Sequence, residues 1–173
     1  MTTRTSPPSI VQRIPTVPPI STVPGTPTVP GTPTVPGTPT VLRFQAVLSP
    51  LADAVIDLMV ADDVAPDEAM RRLGVDPHGP DGAAVLDGRA VAEEVSRIGR
   101  DLWGVRRSLD DIVRLGLDWV CVEDVRAAAR TGHRLRLVAA ATPRCATVEV
   151  RRLAPDHPLF DAPAPTVHST TAE

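Results

Sequence analysis

From Arg43 onward, apolar residues recur first at helical and then at strand spacing. Leu51, Val55, Leu58 and Met59 fall three and four residues apart, which puts them on one helical stripe. Ser49 and Pro50 precede it as N-cap and first helical residue. A second short helix is expected from Pro66, with Asp67 and Glu68 in its first turn and Gly74 as its stop. Residues 75–88 are rich in glycine, proline and aspartate and read as a loop. Val91, Val95, Ile98 and Leu102 then give a helix over about Arg89–Trp103, stopped by Gly104. Ser108, with Asp111 three residues on, predicts a capped helix over Leu109–Leu115. Glu123–Arg130, ended by Gly132, is a further helix.

The period then changes to two. Arg134–Val138 alternates arginine with leucine, and Ala146–Arg151 alternates likewise, so each predicts a strand with one wet and one dry face. Their close spacing predicts an antiparallel pair, and from Ala154 the chain reads as Pro-rich with a frayed tail. The expected fold class is α+β, with helices packed on one face of a small, mostly antiparallel sheet. Ordered structure is expected over 43–159, with residues 160–173 as a disordered tail.

Before Arg43 the pattern has no secondary-structure period. Thr-Val-Pro-Gly-Thr-Pro occurs three times, from Thr22, Thr28 and Thr34, and 11 of the 20 prolines lie in the first 40 residues. Such a segment buries too little apolar surface to offset its ordering entropy. Residues 1–42 are therefore expected to be a disordered, semi-stiff tether. Deleting the repeats is expected to leave the thermal midpoint within about 5 °C, on the order of 1 kcal/mol for a domain this size.

Composition narrows the chemistry. All 18 basic residues are arginine; with no lysine, Schiff-base and phosphate-loop lysine chemistry are excluded. The body after residue 42 is acidic and the whole chain only 2% aromatic, which argues against a nucleic-acid partner. No run of 18 apolar residues exists, so no membrane span is expected. No apolar leader segment precedes the prolines, and a cytoplasmic setting is the expectation. Cys121 and Cys145 lie in apolar stretches and read as reduced core residues. The four histidines lack metal-ligand spacing, so no metal site is expected, and His133 reads as a helix C-cap. Glu93, with Arg89 and Arg97 four residues to either side, reads as the centre of helical ion pairs.

One family gathers these landmarks. Asp87-Gly88-Arg89-Ala90-Val91-Ala92-Glu93-Glu94-Val95, followed by Ile98 and Trp103-Gly104, resembles the Gly-x-Asp-Ala-Ala-x-Lys helix and aromatic-Gly stop of the homoserine dehydrogenase substrate and dimerisation domain. Gly116-Leu117, Glu123-Asp124-Val125, Ala128, Gly132 and Arg136-Leu137-Val138-Ala139 follow in that family's order, as do Val150 and Asp156-His157-Pro158-Leu159. Upstream, Met59, Asp63, Glu68-Ala69, Leu73-Gly74 and Asp76-Pro77 resemble its entry helices.

The resemblance implies NAD(P)-dependent interconversion of homoserine and aspartate semialdehyde, in amino-acid biosynthesis. It implies substrate contacts at Asp76, Asp87 and Gly88, and pairing through the sheet, either with itself or with a complete homologue. The open antiparallel strand pair supports that pairing by offering an edge. The family's catalytic aspartate and lysine, however, fall on Ala90 and Glu94. A glutamate substrate contact that precedes Asp-Pro in the family has no counterpart in Gly74-Val75-Asp76-Pro77. No glycine-rich strand–turn–helix is present to cradle a pyrophosphate, so this chain alone is expected to bind no NAD(P). Two expectations follow: a domain derived from the enzyme but inactive by itself, or a non-catalytic dimerisation or regulatory module.

Overall fold

The computed structural model describes residues 40–172, so the repeats and all but the last three residues of the expected 1–42 tether lie outside the described residues. Thr40–Leu42, expected to be tether, begin a strand because Thr40 and Val41 pair with Ala172 and Thr171. The elements are β1 (Thr40–Val47), α1 (Pro50–Asp62), α2 (Pro66–Arg72), α3 (Pro80–Leu86), α4 (Arg89–Trp103), β2 (Ile112–Leu115), α5 (Val122–Arg130), β3 (Arg134–Ala141), β4 (Ala146–Leu153) and β5 (Thr166–Ala172). The strands form one mixed sheet in the order β2-β4-β3-β1-β5. Only β2–β4 is parallel; the other three pairings are antiparallel. The fold is α+β.

Helices cover one face. Register places Leu137 opposite Val150 and Ala139 opposite Val148, and Phe44 joins them beside Ala141. These residues pack against Val55, Ile56 and Met59 of α1 and Val91, Val95 and Ile98 of α4, all nearly or fully buried. Ser49 caps α1 as its sequence predicts, accepting the Ala52 N–H at 3.1 Å. Trp103 closes α4 by stacking on Phe44, ring centroids 5.6 Å apart, and donating its indole N–H to Val41 O at 2.7 Å. On the outer face, Leu159 from the β4–β5 connection fills a small cluster with Val47, Val138 and Leu153.

Three short or polar segments depart from the sequence pattern. The 75–88 loop contains α3, started by Pro80 and Asp81 as α2 is started by Pro66 and Asp67. Gly82, which reads as a loop residue, is there for close packing: a Cβ would lie 2.0 Å from Asp76 O. The helix expected over Leu109–Leu115 is one 3-10 turn, capped by Ser108, and then strand β2. Ile112 and Val113 are β-branched, and the β4 edge gives them hydrogen-bond partners that outweigh a single cap. Residues 160–173 are not all a frayed tail, because Thr166–Ala172 pairs with β1 as an edge strand. Its polar threonines hide a good β-former.

Several side chains also sit differently. Cys121 and Cys145 are exposed rather than core residues, one at the α5 N-cap and one in the β3–β4 turn. Arg136, read as half of a wet strand face, is 2% exposed because the β4–β5 connection covers it. The helical ion pairs run Glu94–Arg97–Asp101, not through Glu93. The β3–β4 pair offers no edge, being flanked by β1 and β2; the free edges are on β2 and β5. His133 does cap α5, its ring Nδ1 2.8 Å from Thr131 O.

Candidate functional site

The implied site residues gather where α3 meets α4. Asp87 ends α3, and its Oδ1 accepts the Arg89 N–H at 2.8 Å, which turns the chain into α4. Gly88 takes φ 75° there, a left-handed conformation that favours glycine, and is buried against Val148. Ala90 and Glu94 follow on one side of α4. Asp76 is exposed ahead of α3, its carbonyl packed against Gly82 near the start of that helix. Its Oδ1 accepts the His78 N–H at 3.0 Å. Thus Asp87, Gly88, Ala90 and Glu94 are brought together, and Asp76 is not.

Glu94 is committed to a neighbour. Both carboxylate oxygens accept from Arg97, Nε at 2.9 Å, and Arg97 Nη1 also reaches Asp101 at 3.1 Å. The Arg97 hydrogen bonds hold the Glu94 carboxyl below its ordinary range, despite partial burial. The position therefore carries a persistent negative charge engaged by an arginine. Ala90 brings no polar group; it packs at the edge of the core.

A residue absent from the sequence-based site lies beside it. The β2–α5 connection presses on the α3–α4 junction so closely that a Cβ on Gly116 would lie 2.0 Å from Leu86 O and 2.7 Å from Asp87 C. Asp118 follows two residues later. Desolvation raises its carboxyl above the ordinary range, and the negative charge of Asp87 adds to this. The signal was the Gly116-Leu117 landmark, whose importance is close backbone approach rather than a side chain. Gly116 also lines a groove of about 480 Å³ with Leu115, Trp119, Leu135, Val150 and Arg152.

The Cys121 thiol is not an activated nucleophile. The Cys121 Sγ–H points to Asp124 Oδ2 at 3.0 Å, and that carboxylate raises the thiol. Among the described residues, no three His, Cys, Asp or Glu side chains cluster as a metal site. No described helix is long and apolar enough to cross a membrane. The residues also fit a dinucleotide poorly. The direct strand-to-helix connection, β1 to α1, passes through Leu48-Ser49-Pro50, with no glycine and a proline that removes an N–H donor.

The fold is an α+β domain with helices over one face of a five-stranded mixed sheet. The family model for homoserine dehydrogenase matches residues 40–168, and the chain belongs to that family. Among solved structures, the chain is similar to homoserine dehydrogenase from Staphylococcus aureus, with TM-score 0.67, 18% identity, and 78% of this chain covering 36% of that one. A putative homoserine dehydrogenase from Archaeoglobus fulgidus gives TM-score 0.64 and 18% identity, covering 78% and 42%. A hyperthermophilic archaeal homoserine dehydrogenase, solved in complex with NADPH, gives 0.55 and 17%, covering 78% and 43%. The chain thus spans well under half the length of these relatives. No curated protein sequence matches it.

Proposed function

We propose that this chain is a homoserine-dehydrogenase substrate domain that does not oxidise homoserine by itself. The observation that carries the reading is Glu94, a carboxylate bound by Arg97 where the family resemblance implies a proton-shuttling lysine. A carboxylate is no substitute, because it would repel the substrate carboxylate by on the order of 1–4 kcal/mol at 4 Å in a wet site. Ala90 removes the accompanying acid, and this sequence offers no lysine elsewhere. Asp87 and Gly88 remain as the residues to contact a polar substrate, with Asp76 reaching it only through movement of α3.

NAD(P), where the reaction occurs, would supply the hydride acceptor; the residues described here do not hold it. Calorimetric titration of the chain with NADP or NAD should show no saturable heat, and a micromolar Kd would overturn this assignment. The decisive assay follows nicotinamide absorbance with homoserine, adding a dinucleotide-binding homologue in trans. The unmodified chain should stay flat, and Ala90→Asp with Glu94→Lys should gain turnover. Turnover by the unmodified chain would overturn the reading of both positions. The setting consistent with this metabolism is the cytoplasm.

A second reading is favoured by a specific observation. Val113 and Leu115 are 62% and 47% exposed on the outer sheet face, beside the free edge of β2. They suit a non-catalytic pairing module, joined to itself or to a complete homologue.

A further inference from the structure

The chain leaves β4 at Leu153 and crosses the outer sheet face before entering β5 at Thr166. Its first turn is closed by His157 N–H donating to Ala154 O and Phe160 N–H donating to His157 O, both at 2.9 Å. Leu159, fully buried, plugs the space between Val47, Val138 and Leu153. Its carbonyl accepts from Arg136 Nη1 at 2.8 Å, and its N–H donates to His157 Nδ1 at 3.1 Å.

That last bond depends on protonation. An Nδ1 that accepts a backbone N–H carries no proton, so the ring must be neutral. Protonating Nδ1 would set two N–H groups against each other. The surroundings also oppose a charge: burial first, then Arg151 on β4 and His168 on β5, hold the imidazole below its ordinary value, with Asp156 acting in the opposite sense. Arg151 is itself paired with Glu149. Arg136 on β3, opposite Arg151 in register, is paired with Asp53. β1 presents the uncharged Val47 and Gln45, with Arg43 further along the strand. The Nε2 of His168, on the neighbouring strand, is buried without a hydrogen-bond partner.

We propose that the 154–160 turn is an acid-operated latch, in which protonation of His157 breaks its bond to the Leu159 amide and releases the turn and edge strand β5 from the outer face. The unfolded ring takes its proton near pH 6.5 and the latched ring only at lower pH. Latch stability is therefore complete above that value and falls as pH drops below it. Carboxylates titrate nearer pH 4, so the interval from pH 7 to 5.5 separates histidines from carboxylates, and the His157 variant below separates His157 from His78, His133 and His168.

Amide hydrogen exchange on the full chain tests this, with rates corrected for intrinsic pH dependence. Between pH 7 and 5.5, protection at Leu159 and at Val167–Thr171 should fall severalfold further than at the β3–β4 amides. The loss should track the His157 ring titration followed by NMR. His157→Asn offers an acceptor oxygen that does not protonate in this interval, and should remove the difference. Equal pH dependence in that variant would overturn the latch. Should the variant not fold, the unmodified chain decides: a His157 titration at or above 6.5, or unchanged Leu159 protection, also rejects it.

Discussion

Arg136 is the one buried charged residue among those described, and its partners show what it holds. Nε and Nη2 fork onto the two oxygens of Asp53 at the start of α1, while Nη1 donates to the carbonyls of Leu159, Phe160 and Ala162. One guanidinium thus fastens a helix and the β4–β5 connection to the central strand. Removing it strands a mostly buried carboxylate and several carbonyls, so Arg136→Met should cost about 3–5 kcal/mol by urea unfolding. Arg136→Lys should recover little, because an ammonium lacks the planar fork. Arg136→Met with Asp53→Leu should be less harmful than the sum of the single changes. Asp118 presents a different case, an exposed carboxylate that partial desolvation and the charge of Asp87 raise against two backbone hydrogen bonds that lower it. Its folded value is raised, so its contribution is present below the ordinary carboxylate range and is lost as pH rises through the folded value. Asp118→Asn should accordingly raise the thermal midpoint at pH 7 and leave it unchanged near pH 3. A lower midpoint at pH 7 would mean the carboxylate makes a favourable contact that outweighs Asp87.

Elements that repeat their signal were legible in the sequence; those that borrow it from neighbours were not. α1 and α4 carry several turns of apolar spacing plus caps, and β3 and β4 alternate over enough residues to fix their register. The four residues of β2 carry too little pattern, and their strand state comes from the exposed edge of β4. β5 lacks apolar alternation because its outer positions are threonine and histidine, and β1 supplies its pairing. The candidate site divides in the same way. Ala90 and Glu94 enter only through the family resemblance, which the regular pattern of α4 keeps in register, whereas Asp118 reaches Asp87 only through a contact between distant segments. Gly116 is the hinge of that contact. Gly116→Ala must displace the Leu86–Asp87 backbone, and should cost about 1–3 kcal/mol while moving Asp118 away from Asp87. Its signature would be a lowered midpoint that Asp118→Asn no longer improves; an unchanged midpoint would mean that the junction yields without cost.

At the scale of the whole molecule, the two sheet faces have different fates. The inner face is covered by α1, α4 and α5, and its central residues, Phe44, Leu137, Ala139 and Val148, are buried. The outer face is covered only where Leu159 and Phe160 cross it, which leaves the β2 side bare. Val113 and Leu115 point outward there at register positions beside Thr147 and Glu149. Two neighbouring aliphatic side chains next to an unpaired edge offer a seam for a second chain, since their burial removes apolar area from water. The assembly reading therefore predicts a dimer by light scattering at tens of micromolar. Val113→Glu with Leu115→Lys should convert it to monomer without lowering the urea midpoint measured at submicromolar concentration, because neither side chain belongs to the core. A monomer from the unmodified chain would reject self-pairing and leave the outer face to a complete homologue. A dimer that survives both substitutions would place the seam at β5 instead, where His168 and the acid latch would lie within it.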